Sequence, residues 1–314
     1  AWVQEGKVWV SPTPTRRHDH NYYRRRLIQG IEQDVPLVQA KSLLALQRDQ
    51  AGLMPVLAAV LEFATANLNG MTEGLHRLGC VVNLMPLLKA ETAYQAALYA
   101  TRQIARETMG AVPHRHKDAL AADRYDAATL KRWLRQWVLT RHADATERTL
   151  LAGVLTLPAN ELADLTFGVA SERLYADGGH LLEACNKAFE MADHFGGNHA
   201  RRLFPLLIQR LTGARGAEES TSWHHPVELV APLARVDEEL PAMLANNRGT
   251  GTVDAGLRAI LSGDDPVKII DGLRQALLAD VSPTDLAREV SYAAALRLAR
   301  FATSNEVTDW FNPQ

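Results

Sequence analysis

From about residue 35 onward, the apolar residues of this chain recur every three or four positions, and this periodicity limits the fold more than any other feature. Segments such as "PVLAAVLEFATANL" and "PTDLAREVSYAAALRLARF" place their apolar side chains on one face of a helix. Short breaks made of Pro, Gly, Asp and Ser separate the segments, and no convincing run of strands is visible. We therefore predict an all-α fold of antiparallel helix-pair repeats packed around a central cavity.

The first 35 residues differ from the rest of the chain. "AWVQEGKVWVSPTPT" predicts a short extended segment, and "RRHDHNYYRRR" at 16–26 predicts a solvated basic arm. Residues 36–314, in a chain with 47% hydrophobic and 22% charged residues, predict a single all-helical domain with a sizeable core. The longer loops are expected at 111–126, 213–226 and 246–253.

Composition and missing motifs exclude several functional classes. A formal net charge of −2 offers no concentrated positive field for nucleic acid. Two cysteines, Cys80 and Cys185, exclude a disulfide scaffold and any metal site built from four thiolates. No phosphate-binding loop or dinucleotide glycine motif is present, so no nucleotide cofactor is expected. Without an 18-residue apolar run or an apolar signal region, we expect a cytoplasmic protein that does not span a membrane.

A faint repeat connects apolar helices with residues of metal-ligand type. Each of four such helices carries a proline that is followed, 20 to 22 positions later, by a ligand-type side chain. The pairs are Pro55 and His76, Pro158 and His180, Pro205 and His225, and Pro283 and Asn305, which Glu306 follows. "GLHRLGCVVN" and "GGHLLEACNK" also share Gly, His, Leu, Cys and Asn in order. Repeats packed around a common axis would bring these side chains together, although such spacings also arise by coincidence in a helical chain with 14 prolines and 11 histidines.

The three histidines of this repeat, His76, His180 and His225, are the predicted metal ligands. Neutral imidazoles suit iron, zinc, copper or nickel, with geometry and oxygen ligands selecting among them. The alternative is that each histidine only caps a helix or faces solvent. No HExxH or CxxC signature decides between the two interpretations.

Lys187 follows His180 by seven residues, which places both on one helical face, about 10.5 Å apart along the axis. Helical side chains lean toward the N-terminus, so Lys187 is expected to reach back toward His180. A buried neutral amine can add carbon dioxide and become a carbamate, an anionic oxygen ligand. The alternative is an ion pair with Glu183 or Glu190 at helical spacing.

The remaining histidines receive other interpretations. His114 and His116, in "PHRHKD", are predicted to lie in a solvated charged loop. His194 follows Lys187 by seven residues and is a reserve ligand, whereas His142 is predicted to mark a helix boundary.

Several segments resemble a known helical domain: "GLHRLGCVVNLMPLL", "LYADGGHLLEACNKAFEMADHFG", "AEESTSWHHPVEL" and "SYAAALRLARFATSNEVTDW". Over residues 50–310 the chain is similar to an all-helical domain of large bacterial proteins of Rieske type. The Rieske motif itself, Cys-x-His twice over, is missing, so no iron–sulfur cluster is implied.

More distantly, the helical repeats and scattered histidines resemble questin-oxidase-like proteins, a family that includes non-heme iron enzymes acting on polycyclic aromatic compounds. That resemblance implies a mononuclear iron held by His76, His180 and His225 with a carboxylated Lys187. It also implies further histidines after the "DW" at 309–310, in whose place this chain offers Glu306.

We expect, on this basis, a metal-dependent oxidoreductase or oxygenase that acts on an aromatic or hydrophobic small molecule bound in a helical cavity. The competing hypothesis is a non-catalytic helical-repeat interaction module, in which the three histidines only begin helices.

Overall fold

Throughout the part of the chain that the structure describes, the protein is built from α-helices. The computed structural model describes residues 19–47, 52–121, 125–216, 219 and 227–300. In these ranges the one pairing of extended backbone is an isolated bridge between Gly251 and Val281. The prediction of an all-α fold is therefore confirmed for the described residues, while the extended segment predicted at 1–15 lies outside them.

The helices fall between the predicted breaks. In chain order they are α1 His20–Glu32, α2 Pro36–Gln47, α3 Met54–Asn67, α4 Glu73–Leu84, α5 Ala90–Thr108, α6 Ala127–Leu139, α7 Ala143–Thr156, α8 Ala159–Ala170, α9 His180–Phe195, α10 Gly197–Leu203, α11 Ile208–Gly213, α12 Val230–Asn246, α13 Ala255–Leu261, α14 Pro266–Leu278 and α15 Pro283–Ala299. Short 3₁₀ turns follow α4 and α10, at Met85–Leu87 and Phe204–Leu207. None of the helices in the described ranges combines the length and the apolar composition needed to cross a membrane.

Helix α1, His20–Glu32, includes much of the charged run at 16–26, for which the sequence predicts a solvated basic arm. Asp19 caps the helix by accepting a hydrogen bond from the backbone N–H of Tyr22 at 2.7 Å. Leu27 and Ile31, one turn apart, are completely buried, and α1 packs against α2. This apolar stripe outweighs the run of arginines, which stays exposed on the opposite side.

The described residues form two compact units. Those within Ala1–Ala170 and Leu181–Ala214 make the first, and those within Ser171–His180 and Arg215–Gln314 make the second. The single domain predicted for 36–314 stays a prediction, because compactness alone does not define independent folding.

The first unit has a large apolar core. Leu57 and Leu61 of α3 and Leu75 of α4 are completely buried in it. Phe204 is also completely buried, and its ring meets the ring of Phe189 edge to face, with centroids 4.9 Å apart. This core fixes the helices and loops that carry the candidate site.

The second unit has a much smaller core, which is centred on Leu257, Val281 and Leu286. No residue of α14 is fully buried. The connection after α12 is therefore held mainly by hydrogen bonds to Asp280, a left-handed residue with φ of +66°. Its carboxylate accepts hydrogen bonds from the backbone N–H groups of residues 248–250 and from the hydroxyl of Thr250.

These hydrogen bonds give the second unit a predictable dependence on pH. The Thr250 hydroxyl and then the Arg248 N–H hold the pKa of Asp280 below its ordinary value of 3.8. A depressed carboxyl pKa contributes stability above the unfolded-state pKa, and this contribution is lost as pH falls through the folded-state pKa. Asp280→Asn should therefore unfold at lower urea concentration than the wild type at pH 7, and the difference should vanish in strong acid. A difference that persists after all carboxyls are protonated would contradict this account.

Candidate metal centre

The five ligands predicted from the sequence fall in different parts of the chain. His225 and Glu306 lie outside the described residues. His180 is the first residue of α9 and belongs to the second unit, whereas His76 on α4 and Lys187 on α9 belong to the first. The convergence of these five residues on one ion stays a prediction.

Helices α4 and α9, which carry the two matching sequence segments, contact each other through their side chains. His76 Nδ1 lies 3.9 Å from Glu183 Oε1. Further along, Cδ of Lys187 lies 3.1 Å from the position that a Cβ on Gly79 would occupy. Because the contacts advance together along both helices, the helices run in roughly the same direction. Glycine at 79 is what leaves room for the lysine stem.

The ammonium group of Lys187 is directed at Glu190, with Nζ 2.7 Å from Oε2, and the side chain is only 13% exposed. Asn83 Nδ2 donates to the same oxygen at 2.7 Å, and Asn83 Oδ1 lies 2.8 Å from Nε2 of His194. The ion pair between Lys187 and Glu190 is one of the two that the alternative interpretation of Lys187 predicted. A carbamate at Lys187 stays a prediction.

A different group of ligand-type side chains comes together in the first unit, at His114, His116 and Glu147. The two histidines lie in the irregular segment between α5 and α6, and the backbone N–H of His114 donates to Leu68 O at 3.1 Å. Glu147 lies on the inner face of α7 with its side chain 4% exposed.

The carboxylate of Glu147 attaches this segment to the helix. Its Oε1 lies 2.8 Å from Nε2 of His114 and accepts a hydrogen bond from the backbone N–H of Lys117 at 3.0 Å. The other ring nitrogen of His114, Nδ1, lies 2.9 Å from Oδ1 of Asn69. His114 is therefore oriented from both sides, and its side chain is 11% exposed. The predicted solvated loop is wrong at His114, because a buried carboxylate draws the ring inward.

The three donors are spaced closely enough to share an ion after a small adjustment. One ligand atom each from His114, His116 and Glu147 lie within 4.8 Å of one another. Donors at about 2.1 Å from one metal are at most about 4.2 Å apart, so a pair at the 4.8 Å limit would have to approach by about 0.6 Å. His116 is exposed and can make that adjustment. Its ring already packs edge to face on His114, with centroids 5.1 Å apart.

The electrostatic surroundings keep His116 in the form that binds metals. Desolvation of the ring lowers the pKa of His116 below 6.5, and the neighbouring His114 and Arg202 lower it further, while Glu147 opposes them. A neutral imidazole has a lone pair available for a cation near neutral pH. Asn69 Oδ1 lies in hydrogen-bonding distance of Nδ1 of His114, and metal-binding histidines commonly have such a partner at the ring nitrogen that does not bind the metal.

Sequence reasoning missed this group because Glu147 is 33 residues from His114 and the three residues form no spacing motif. A signal was nevertheless present in α7. Glu147 precedes Leu150 and Leu151 by three and four positions, which puts its carboxylate on the apolar face of a predicted helix. A carboxylate on a buried face needs a partner, and the histidines of "PHRHKD" were available as partners.

Comparison of the chain with protein-family models, curated proteins and solved structures gives no match. The functional argument therefore depends on the chemistry of this chain's own residues.

Proposed function

We propose that this chain is a metal-dependent oxidoreductase of the non-heme type, in which His114, His116 and Glu147 hold one ion. The observation that carries the proposal is the buried carboxylate of Glu147, 2.8 Å from the ring of His114 and in reach of His116. Two imidazoles and one carboxylate are the ligand set of non-heme iron oxygenases, and the same set holds catalytic zinc in some hydrolases. Iron is the proposed ion. If the chain binds zinc instead, the proposed reaction would be a hydrolysis.

Each of the three side chains has a separate task. Glu147 and His114 are fixed by packing and by hydrogen bonds to Lys117 N–H and Asn69, so they provide the rigid part of the site. His116, which is exposed, completes the set from the solvent side. When bound, iron would supply the activation of dioxygen. The protein would bind the ion, orient it and keep His116 neutral.

The proposed substrate is a hydrophobic or aromatic small molecule. Support comes from the resemblance to questin-oxidase-like proteins and from the all-helical fold. The helical periodicity of the sequence proposes antiparallel helix-pair repeats around a central cavity. The repeat spacing and the same resemblance propose His76, His180, His225, Lys187 and Glu306 as the ligands instead. These two ligand sets are competing proposals for one activity.

A second candidate function is a non-catalytic helical-repeat interaction module. The observation that favours it is the ion pair between Lys187 and Glu190, which satisfies the lysine without any metal. In this case the partner would be another macromolecule rather than a small substrate, and the purified chain would hold no stoichiometric ion.

Metal analysis of the purified chain, loaded anaerobically with Fe(II) or with Zn(II) and then desalted, tests the proposal. We expect about one ion per chain in the wild type. His116→Ala should weaken metal affinity by about 100-fold. Even removal of a residue that only hydrogen-bonds to a ligand typically lowers metal affinity 10- to 100-fold. His116 is the residue to change because it is exposed, so its removal should leave the fold intact.

Two further variants make the result specific. Arg115→Ala, between the two histidines, is the matched control and should retain the ion. Lys187→Ala should also retain it if His114, His116 and Glu147 are the ligands. If Lys187→Ala loses the ion and His116→Ala keeps it, the result would support the ligand set predicted from the sequence and exclude His116 as a ligand. A wild type that binds neither metal would leave the interaction module as the function.

A further inference from the structure

A mostly apolar pocket opens in the first unit, among α2 to α5 and α9. Its apolar walls come from side chains of four consecutive structural elements, Leu53, Met54, Val82, Met85, Pro86 and Ala93. The polar residues that line it are Gln47 and His194. Gln47 uses its Nε2 in a hydrogen bond to the backbone oxygen of Ala90. His194 and the amide oxygen of Gln47 are therefore the polar groups at the pocket.

The hydrogen bonds of Asn83 decide which nitrogen of His194 carries the proton. Glu190 only accepts hydrogen bonds when ionised, so Asn83 must present its amide nitrogen to Glu190 Oε2, at 2.7 Å. Asn83 then presents its oxygen to His194 Nε2, at 2.8 Å, and Nε2 must be the donor. In the neutral ring this leaves Nδ1 as a hydrogen-bond acceptor.

The charges behind this arrangement are balanced. Lys187 Nζ and Asn186 Nδ2 donate to the two oxygens of Glu190 at 2.7 and 2.8 Å, so the carboxylate is held in place. The orientation of Asn83, and through it the proton on His194 Nε2, follows from the side chains of α4 and α9 alone.

We infer that this pocket binds a small molecule with an apolar body and one hydroxyl group, such as a phenol, with the hydroxyl donating to Nδ1 of His194. The apolar walls supply burial for the body. The fixed tautomer supplies the selectivity, because Nδ1 as an acceptor can form a hydrogen bond with a ligand hydroxyl but not with an ether of the same shape.

The pocket is separate from the candidate metal centre, so the inference does not rest on the proposed function. Leu53 and Met54 stand at the start of α3, whereas Asn69, which orients His114, follows the end of that helix. A helix of 14 residues spans roughly 20 Å. Loss of the metal therefore should not change binding in the pocket.

Binding of 4-ethylphenol and of its methyl ether, 4-ethylanisole, to the full chain tests the inference by ligand-observed NMR titration. We expect the phenol to bind about tenfold more tightly, which corresponds to one hydrogen bond. His194→Phe keeps a ring at the mouth but removes the acceptor, so it should lower phenol affinity to that of the ether and leave the ether unchanged. Equal affinities in the wild type, no measurable binding, or a preference that survives His194→Phe would each overturn the inference.

A second pair of variants locates the bound molecule. Met85→Trp should fill the half-buried wall and weaken both ligands, whereas Leu87→Trp, on the same turn but 80% exposed, should change neither. If both ligands bind Met85→Trp as well as they bind the wild type, they occupy another place and the inference fails. Titration of His116→Ala should give wild-type affinities, which distinguishes failure here from failure of the metal proposal.

Discussion

Replacing Glu147 by alanine is expected to lower the free energy of unfolding of the first unit by about 2 kcal/mol, since two partly buried donors lose their partner. Those donors are Nε2 of His114 and the backbone N–H of Lys117, both bound to one carboxylate oxygen of Glu147. The segment that carries the candidate ligands should then detach from α7. Urea unfolding measures the stability, and trypsin measures the detachment by faster cleavage after Arg115 and Lys117.

Two other substitutions separate the structural effect from the chemical one. Glu147→Gln retains a side-chain oxygen that can accept both hydrogen bonds, so it should preserve most of the stability while removing the anionic metal ligand. Asp144→Ala, one turn earlier on α7, removes an exposed ion pair with Lys117 and should leave the urea stability and the cleavage after Arg115 nearly unchanged. Trypsin resistance in Glu147→Ala equal to that of the wild type would show that the carboxylate does not hold this segment.

Much of the fold could be read from local patterns, because helix periodicity and helix breakers act over a few residues. The predicted break at 246–253 separates α12 from α13, and His142 caps α7 by accepting from Ala145 N–H, as a helix boundary requires. At α1 the same local periodicity is present, because Leu27 and Ile31 are one turn apart and both are buried, while the neighbouring arginines stay exposed.

The candidate site could not be read in this way, because its decisive contacts are distant in sequence. Glu147 meets His114 across 33 residues, and no local pattern predicts that a loop returns to a particular helix. Lys187 shows the same limit. Its two possible partners, Glu183 and Glu190, followed from helical spacing, but the choice of Glu190 is supported by Asn83, which is 107 residues from Glu190. Local rules placed each of these side chains on a surface, and long-range packing decided what it touches.

Gly251→Ala should unfold the core of the second unit, with a loss of about 3 kcal/mol, at the upper end of what overpacking costs. A Cβ at this position would overlap the backbone oxygen of Ala279 and would lie 2.6 Å from the carbonyl carbon of Asp280 and 2.7 Å from Val281 N. These are backbone atoms, so no side-chain rotation relieves the collision. The bridge between Gly251 and Val281 would have to open, together with the hydrogen bond from Gly251 N–H to Asp280 O at 2.8 Å.

Such an opening should expose the small core that contains Val281, which is otherwise 1% exposed. Amide hydrogen exchange measured by mass spectrometry should therefore accelerate roughly 100-fold in peptides covering 247–286, which is the factor that about 3 kcal/mol gives. Gly272→Ala on α14 is the matched control within the same unit. Its new Cβ would meet the flexible side chain of Ile260 at 3.1 Å, and alanine gains about 1 kcal/mol of helix propensity, so stability should hold or rise. If Gly251→Ala exchanges no faster than Gly272→Ala, the close backbone approach at Gly251 is not what holds this unit together, and the hydrogen bonds of Asp280 alone must suffice.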